Sequence, residues 1–169
     1  QSAVWAVLFS LVVIFMYILI RFRRMSYSIG AVAAVFHDVL IVLALFSILY
    51  GRLPFSLEID QAFIAAILTV IGYSLNDTVV VFDRVREYFS IKSGSRDDIV
   101  NAALNSTLSR TINTSLTTFF VLLIIFLFGG EVIRGFMFAL MIGVVVGTYS
   151  SLFIATPIMV DTLKKEHDK

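Results

Sequence analysis

The stretch GYSLNDTVVVFDRVRE, residues 72–87, decides how the whole chain is interpreted, because it carries an asparagine and an aspartate inside an apolar run. Asn76 and Asp77 lie near the end of a segment that begins at about Ile59 and is long enough to cross a bilayer. An ionisable residue on a membrane helix costs about 2.5–3.5 kcal/mol on insertion scales, so it usually marks a functional site or a specific ion pair. Asp77 is therefore the first candidate functional residue.

The composition is that of an integral membrane protein. Of 169 residues, 59% are hydrophobic and 15% are charged, and the mean hydropathy is +0.97, well outside the range of soluble globular domains. The absence of cysteine excludes disulfides, zinc–thiolate sites and thiol nucleophiles, and two histidines are too few for a histidine metal cluster. We expect neither a metal nor an organic cofactor.

Five apolar segments predict an all-α membrane protein with five transmembrane helices. These segments cover residues 4–20, 29–50, 59–82, 102–128 and 133–160. Each reaches the ~17–25 residues that a spanning helix needs. The longest connection follows residue 82; its first part continues the helical pattern, SerGlySer at residues 93–95 breaks it, and Ser95 is a candidate N-cap for the next helix.

The distribution of charge predicts an orientation. Eleven of the thirteen Lys and Arg residues lie on one side of the predicted segments. Because Lys and Arg accumulate in cytoplasmic loops, we expect the N-terminus outside and the C-terminus in the cytoplasm. The basic residues lie beside helix ends without an aromatic platform, so we expect no nucleic-acid binding. Gln1 opens the chain without a signal-peptide pattern, which predicts a cut or a domain boundary there.

Arg110 is the predicted partner of Asp77. Along ideal helices, Asp77 lies ~27 Å from Ile59 and Arg110 lies ~28 Å from Gly129, so both reach a similar depth from the outer surface. An aspartate and an arginine at one depth are expected to pair. The helix of Asp77 also carries a stripe of small or polar residues that we expect to face protein or water rather than lipid: Ala65, Thr69, Gly72 and Asn76.

The fourth segment is unusually polar around Arg110. Ser106, Arg110, Thr114 and Thr117 form a row that could hold a chain of waters leading to Asp77. Alternatively, the hydroxyls bond carbonyls of their own helix and Arg110 extends to the membrane interface. The sequence leaves both alternatives open.

Two further groups of residues have a predicted role. His37 and Asp38 lie about two turns into the second segment, and they could be accessories of a proton relay or a capped, water-facing pair that only fixes helix packing. The last segment carries small residues at every fourth position, a pattern that lets two helices approach closely: Gly143, Gly147, Ser151 and Ala155. We expect the second group to be a packing surface.

Three classes of function are compatible with these residues. In a proton-coupled device, a helix movement changes the separation of Asp77 and Arg110 and so converts proton passage into motion. An intramembrane aspartyl protease would instead use Asp38 and Asp77, but the Gly-x-Gly-Asp pattern of presenilin-like proteases is absent. In a non-transporting membrane scaffold, all the polar residues would serve helix association.

The motifs together resemble the membrane domain of the SecF family, or the matching half of fused SecDF proteins. The matching stretches are FHDV at 36–39, GYSLNDTVVVFDRVRE at 72–87, LSRT at 108–111, FGGEVIRGF at 128–136 and GVVVGTYSS at 143–151. The resemblance implies a fold of the resistance-nodulation-division (RND) type, with five helices of a six-helix half-bundle in one domain over residues 1–169. The first helix and the periplasmic domain of the family are expected to precede Gln1.

By this resemblance, Asp77 corresponds to the proton-coupling aspartate of the family and Arg110 to an arginine of the same pathway. The residue pattern adds candidates for the proton path: Asn76, Asp38, His37, Thr114 and Ser106. The implied function is that of an accessory subunit of the Sec protein-export translocase in the bacterial inner (plasma) membrane, with protons as the coupling ion and no enzymatic activity. The implied partners are SecD, the SecYEG translocon, a YajC-like subunit, translocating preproteins and the lipid bilayer.

Overall fold

The computed structural model describes residues 2–167, and over that range the chain is all-helical. Six α-helices follow one another: α1 Ser2–Phe22, α2 Met25–Leu49, α3 Gln61–Ile91, α4 Arg96–Phe128, α5 Glu131–Ser150 and α6 Thr156–His167. A π-helical turn at Ser151–Ala155, here called the π turn, joins α5 directly to α6. The predicted all-α class is confirmed.

The helices have the length and apolarity of membrane spans. Four are long and apolar enough to cross a membrane, namely α2, α3, α4 and the continuous helix Glu131–Lys165, and the apolar part of α1 at Leu8–Phe22 is shorter. Large apolar side chains such as Phe9 and Phe120 are exposed on the outside of the bundle, as expected for a surface that meets lipid. The count of five spans and the orientation in the membrane stay predictions.

Two helices extend beyond the apolar segments that the sequence predicts. α3 continues to Ile91, as the helical pattern after residue 82 predicts, and α4 begins at Arg96, directly after the predicted cap Ser95. Hydropathy does not detect these extensions because their side chains are polar. The backbone N–H of Asp98 donates a hydrogen bond to the Ser95 hydroxyl at 3.2 Å, which confirms Ser95 as the N-cap of α4.

Small residues bring α5 against α3. A Cβ atom at Gly143 would collide with the side chain of Val70, and one at Gly147 would lie 3.0 Å from the Cβ atom of Ser74. Larger residues at these two positions would therefore force the helices apart. The predicted packing surface is confirmed at Gly143 and Gly147.

The small residues of the π turn pack against another helix. A Cβ atom at Gly30 of α2 would lie 2.5 Å from the Ala155 carbonyl oxygen, so α2 and the π turn approach closely there. The Thr156 hydroxyl donates a hydrogen bond at 3.0 Å to the Ser151 carbonyl, five residues before it, and so supplies a donor within the widened turn. The row that begins on α5 thus ends where the π turn closely approaches α2.

The core consists of two apolar clusters with polar residues between them along α3 and α5. One cluster lies at the end of the bundle where α1 ends, here called the basic end, and includes Phe22, Tyr27 and Phe82. The other includes Phe46 and Phe63. On α3 and α5, the buried polar residues Ser74, Asp77 and Ser150 fall between these clusters. The fold therefore places the candidate site inside the bundle.

Candidate functional site

The Asp38 carboxylate is a hydrogen-bonded centre shared by three helices. It is only 1% exposed. Its Oδ2 atom accepts hydrogen bonds from the Ser74 hydroxyl of α3 at 2.6 Å and from the Ser150 hydroxyl of α5 at 2.7 Å. Its Oδ1 atom lies 3.1 Å from Nδ1 of His37. Asp38 therefore ties α2 to α3 and α5.

This geometry changes the interpretation of the His37 and Asp38 pair. The alternative in which the pair faces water is wrong for Asp38, which is buried, whereas the His37 side chain is 32% exposed. Sequence reasoning missed Ser74 and Ser150 as partners of Asp38. Ser74 stands one turn before Asp77 on α3, so the spacing within the motif was the available signal.

Asp77 belongs to the same group of buried polar residues between the two apolar clusters, here called the polar layer. Fewer hydrogen bonds reach its carboxyl group than reach that of Asp38. Asp77 is 2% exposed, and its Oδ2 atom has no hydrogen-bond partner among the described residues. The Ser115 hydroxyl of α4 lies near the Asp77 carboxyl, but it is engaged with the Thr148 hydroxyl of α5. Burying a carboxylate without a full set of donors is costly, so the surroundings of Asp77 differ from those of Asp38.

Two more buried hydroxyl groups without a hydrogen-bond partner in the described part of the chain lie next to Asp77 and Arg110 in the sequence. The hydroxyl oxygens of Thr78 on α3 and Thr111 on α4 are both buried, and neither has a hydrogen-bond partner among the described residues. Buried polar groups are normally satisfied by protein or by water. The buried hydroxyls of Ser26 and Ser28 on α2 also have no hydrogen-bond partner among the described residues. Sequence reasoning did not single out either threonine as a site residue.

Arg110 does not form an ion pair with Asp77 in this structure. Among the described residues, the Arg and Lys ion pairs within 4.0 Å are Arg21–Asp83, Arg84–Glu87 and Lys164–Asp97. Arg110 is exposed, yet it is near enough for its charge to act on the Asp77 carboxyl. It lines a cleft of about 420 Å³ together with five polar or charged residues: Asp83, Arg84, Glu87, Ser106 and Thr107.

The hydroxyls of the predicted polar row bond to their own helix. Thr114 donates to the Arg110 carbonyl at 2.9 Å, and Thr117 donates to the Asn113 carbonyl at 3.0 Å. Ser106 donates to the Ala103 carbonyl at 2.7 Å and accepts from Nε of Arg84 at 3.0 Å. These bonds match the alternative in which each hydroxyl satisfies the α4 backbone.

The predicted stripe on α3 lies on the outer surface of this chain. Asn76 and the other members, Ala65, Thr69 and Gly72, are all exposed. Asn105, Ser109 and Asn113 of the neighbouring helix α4 are exposed as well. Exposed polar residues at membrane depth normally face protein or a water-filled cavity rather than lipid. That the stripe faces protein or water stays a prediction.

The two buried aspartates are not arranged as a protease dyad. Such a dyad needs two carboxyl groups close enough to share a proton. Asp38 instead receives Ser74, Ser150 and His37, and within the described part of the chain no hydrogen bond joins it to Asp77. No cluster of three or more His, Cys, Asp or Glu side chains suited to a metal ion occurs among the described residues either.

Comparisons with known proteins point to one family. The family model described as "Protein export membrane protein SecD/SecF, C-terminal" matches residues 1–165. The protein translocase subunit SecF of Rhodothermus marinus is 60% identical over 162 residues, which make up 95% of this chain and 52% of that protein. The SecF subunit of Petrotoga mobilis is 47% identical over 167 residues, which make up 98% of this chain and 53% of that protein.

Solved structures agree with the sequence matches. The crystal structure of SecDF from Thermus thermophilus, described as a translocon-associated membrane protein, superposes with a TM-score of 0.84 at 40% identity, covering 97% of this chain and 22% of that one. A crystal structure of SecDF in a super-membrane-facing form gives a TM-score of 0.87 at 38% identity, covering 98% and 22%. The chain spans about half the length of the curated SecF relatives it matches.

Proposed function

The chain belongs to the SecD/SecF family of protein export membrane proteins, and from that premise we propose that it is the membrane part of an accessory subunit of the Sec translocase. In this proposal it acts with SecD in the bacterial inner membrane, alongside the SecYEG translocon and a YajC-like subunit. It is not an enzyme; it uses the proton-motive force to drive late translocation or release of preproteins. Asp77 is the coupling carboxyl, and protons are the coupling ion.

The observation that carries this proposal is the buried and incompletely bonded carboxyl of Asp77. Burying a carboxylate at membrane depth costs about 2.5–3.5 kcal/mol. A proton that crosses ~150–200 mV releases about 3.5–4.5 kcal/mol. Because the two energies are comparable, protonation driven by the membrane potential is sufficient to change which arrangement of the surrounding helices is more stable.

Arg110 is the second residue of the proposed proton-coupled device. Its side chain faces a cleft shared with Asp83 and Glu87, while its charge still acts on Asp77. A movement of α4 relative to α3 that brings the guanidinium to the carboxyl would stabilise the charged form of Asp77. Movement in the other direction leaves the neutral form favoured, so proton uptake and helix movement are linked.

The partner surface in this proposal is the exposed polar face of α3 and α4. Asn76 lies on this face beside the buried Asp77, and Asn113 lies on it one turn beyond Arg110. A SecD half-bundle that covers the face would satisfy these side chains and would exclude lipid from the proton path. Asn76, Thr114 and Ser106 remain candidates for that path, with the bonds of Thr114 and Ser106 to α4 carbonyls limiting them to accepting hydrogen bonds from water.

The test is preprotein release that depends on the proton-motive force, measured with the full-length protein and its SecD partner reconstituted with the translocon. We expect Asp77→Asn, which keeps the shape and removes the titratable charge, to reduce the force-dependent rate at least about tenfold. Asp97→Asn is the matched control: it removes a carboxylate that is exposed, lies outside the cleft of Arg110 and pairs with Lys164. It should change the rate less than about twofold.

Unchanged release with Asp77→Asn would contradict the proposal. Asp77 would then be a structural residue, and the non-transporting scaffold would become the better account of the polar layer. Assembly with SecD is measured in parallel, by co-purification, so that loss of the complex is distinguished from loss of coupling.

A further inference from the structure

A cleft of about 480 Å³ opens at the basic end of the bundle and is lined by four arginines. Arg23 and Arg24 come from the link between α1 and α2, Arg86 comes from the end of α3, and Arg96 opens α4. These four side chains define what we call the arginine cleft. Three separate parts of the sequence contribute to it, so the fold alone brings the charges together.

Three basic residues at this end of the bundle are paired with carboxylates, and among the described residues the four arginines are not. Arg21, Arg84 and Lys164 each hold a carboxylate within 4.0 Å. Within the described part of the chain, none of the four cleft arginines does so, and no carboxylate lines the cleft. Four like charges around one opening repel each other, and an anion bound between them would remove that repulsion.

The backbone of Arg23 supports a role for its side chain. Its φ is +55°, in the left-handed region where a Cβ atom carries a steric cost and glycine is favoured. Its N–H closes α1 by donating to the Leu19 carbonyl at 2.8 Å. The tight turn itself would be served better by glycine. A strained residue at such a position is typical of binding sites, because there the side chain has a function.

Aromatic side chains form part of the wall of the arginine cleft. Phe22 and Tyr27 are both buried and stack with ring centroids 4.8 Å apart. Outside the cleft, Ile20 is 72% exposed and Met25 is 49% exposed, so apolar surface borders the arginines on both sides in the sequence. The surroundings therefore suit a ligand with an anionic head and apolar chains.

We propose that the arginine cleft binds the phosphate headgroup of an anionic membrane lipid, with the acyl chains lying along the exposed apolar side chains of α1 and α2. One guanidinium group can donate parallel hydrogen bonds to two phosphate oxygens, which makes the contact strong and fixes the orientation of the phosphate. Basic pockets between membrane helices at a bilayer surface are suited to acidic lipid headgroups. This proposal does not depend on proton coupling at Asp77.

The test uses the full-length protein, stripped of lipid in a neutral detergent and titrated with phosphatidylglycerol, phosphatidylcholine or inorganic phosphate. Native mass spectrometry counts the bound molecules. We expect phosphatidylglycerol to bind at least about tenfold more tightly than phosphatidylcholine and inorganic phosphate. Arg23→Gly should weaken phosphatidylglycerol binding about fivefold, because one guanidinium is lost while the backbone conformation suits glycine.

Lys92→Gln is the matched control. It removes one positive charge from the same end of the bundle, but Lys92 lies outside the cleft, with its Nζ atom 4.4 Å from the centroid of the Tyr88 ring. It should change binding less than about twofold. Arg96→Gln provides a second variant of the cleft on a different helix, with an expected loss like that of Arg23→Gly, if the latter affects folding.

Three results would overturn the proposal. If Lys92→Gln weakens binding as much as Arg23→Gly and Arg96→Gln, the lipid responds to the general charge of this end and the cleft is not a site. If inorganic phosphate binds as tightly as phosphatidylglycerol, the ligand is a soluble phosphate compound rather than a lipid. If neither phosphate nor lipid binds, the cleft serves another class of partner.

Discussion

Asp38 and Asp77 are two buried carboxyl groups in the same polar layer, and the protein surrounds them differently. Asp38 accepts hydrogen bonds from Ser74 and Ser150 and lies 3.1 Å from His37. Asp77 is as deeply buried, but its Oδ2 atom has no partner among the described residues. Burial by itself therefore does not show how well a carboxyl group is satisfied; the donors around it do.

The difference also separates two roles within one bundle. A carboxylate bonded by three helices holds those helices together, and a change in its charge would disturb all of them. A carboxyl with few bonds can change its charge without breaking the packing around it. We infer that Asp38 fixes the helices that surround Asp77.

The largest expected effect comes from Asp38→Ala. This change leaves the hydroxyls of Ser74 and Ser150 buried without their acceptor, so we expect a loss of about 3 kcal/mol in the free energy of unfolding. Denaturant unfolding in detergent micelles measures it. The matched control is Asp83→Ala, which removes a partly exposed ion pair with Arg21 and should cost less than about 1 kcal/mol. Equal losses in the two variants would show that Asp38 is not a structural centre.

A smaller loss of stability is expected from Gly147→Ala, which disturbs a hydrogen-bond donor of Asp38 and leaves Asp77 unchanged. The added Cβ atom would lie 3.0 Å from the Cβ atom of Ser74 and would displace the hydroxyl that donates to Asp38. Overpacking of this kind costs about 1–3 kcal/mol. Gly72→Ala on α3 is the control, because its added Cβ atom would meet no neighbouring helix or side chain within 4 Å. A stability of Gly147→Ala equal to that of Gly72→Ala would contradict close packing between α3 and α5.

Asp77→Asn is expected to change stability least, and any change should be a gain rather than the loss expected for the other two variants. Removing a charge that has no close partner relieves a desolvation cost, so we expect the free energy of unfolding to stay the same or to rise by up to about 1 kcal/mol. The same unfolding measurement checks this. A loss comparable with that of Asp38→Ala would show that Asp77 is held by bonds that matter for folding, and the contrast between the two carboxyls would disappear.

Local features of the fold could be predicted from the sequence. Ser95 caps α4 and Gly143 and Gly147 bring α5 against α3, as the spacing of these residues predicts. The match of the SecD/SecF family model over residues 1–165 confirms the family that the motifs indicate. Hydropathy alone does not locate the ends of α3 and α4, because their extensions are polar; the helical pattern after residue 82 and the cap at Ser95 indicate them instead.

The partners of the buried carboxyls could not be predicted in the same way. Ser74 and Ser150 lie 36 and 112 residues from Asp38, and their contact with it depends on how α3 and α5 rotate about their own axes. Equal depth suggested an ion pair between Asp77 and Arg110, but depth does not fix the direction of a side chain. In this structure Arg110 lines a cleft with Asp83 and Glu87 instead.

The sequence by itself determined that this protein is a helical membrane protein, that a carboxyl lies within one of its helices, and which family it resembles. These properties depend on composition, hydropathy and short motifs, which are local. The tertiary structure decided which carboxyl is satisfied, where Arg110 lies and that four arginines share one cleft. These properties depend on contacts between distant segments, because a hydrogen bond or a shared charge requires two side chains to meet in space, and only the packing of the helices brings them together.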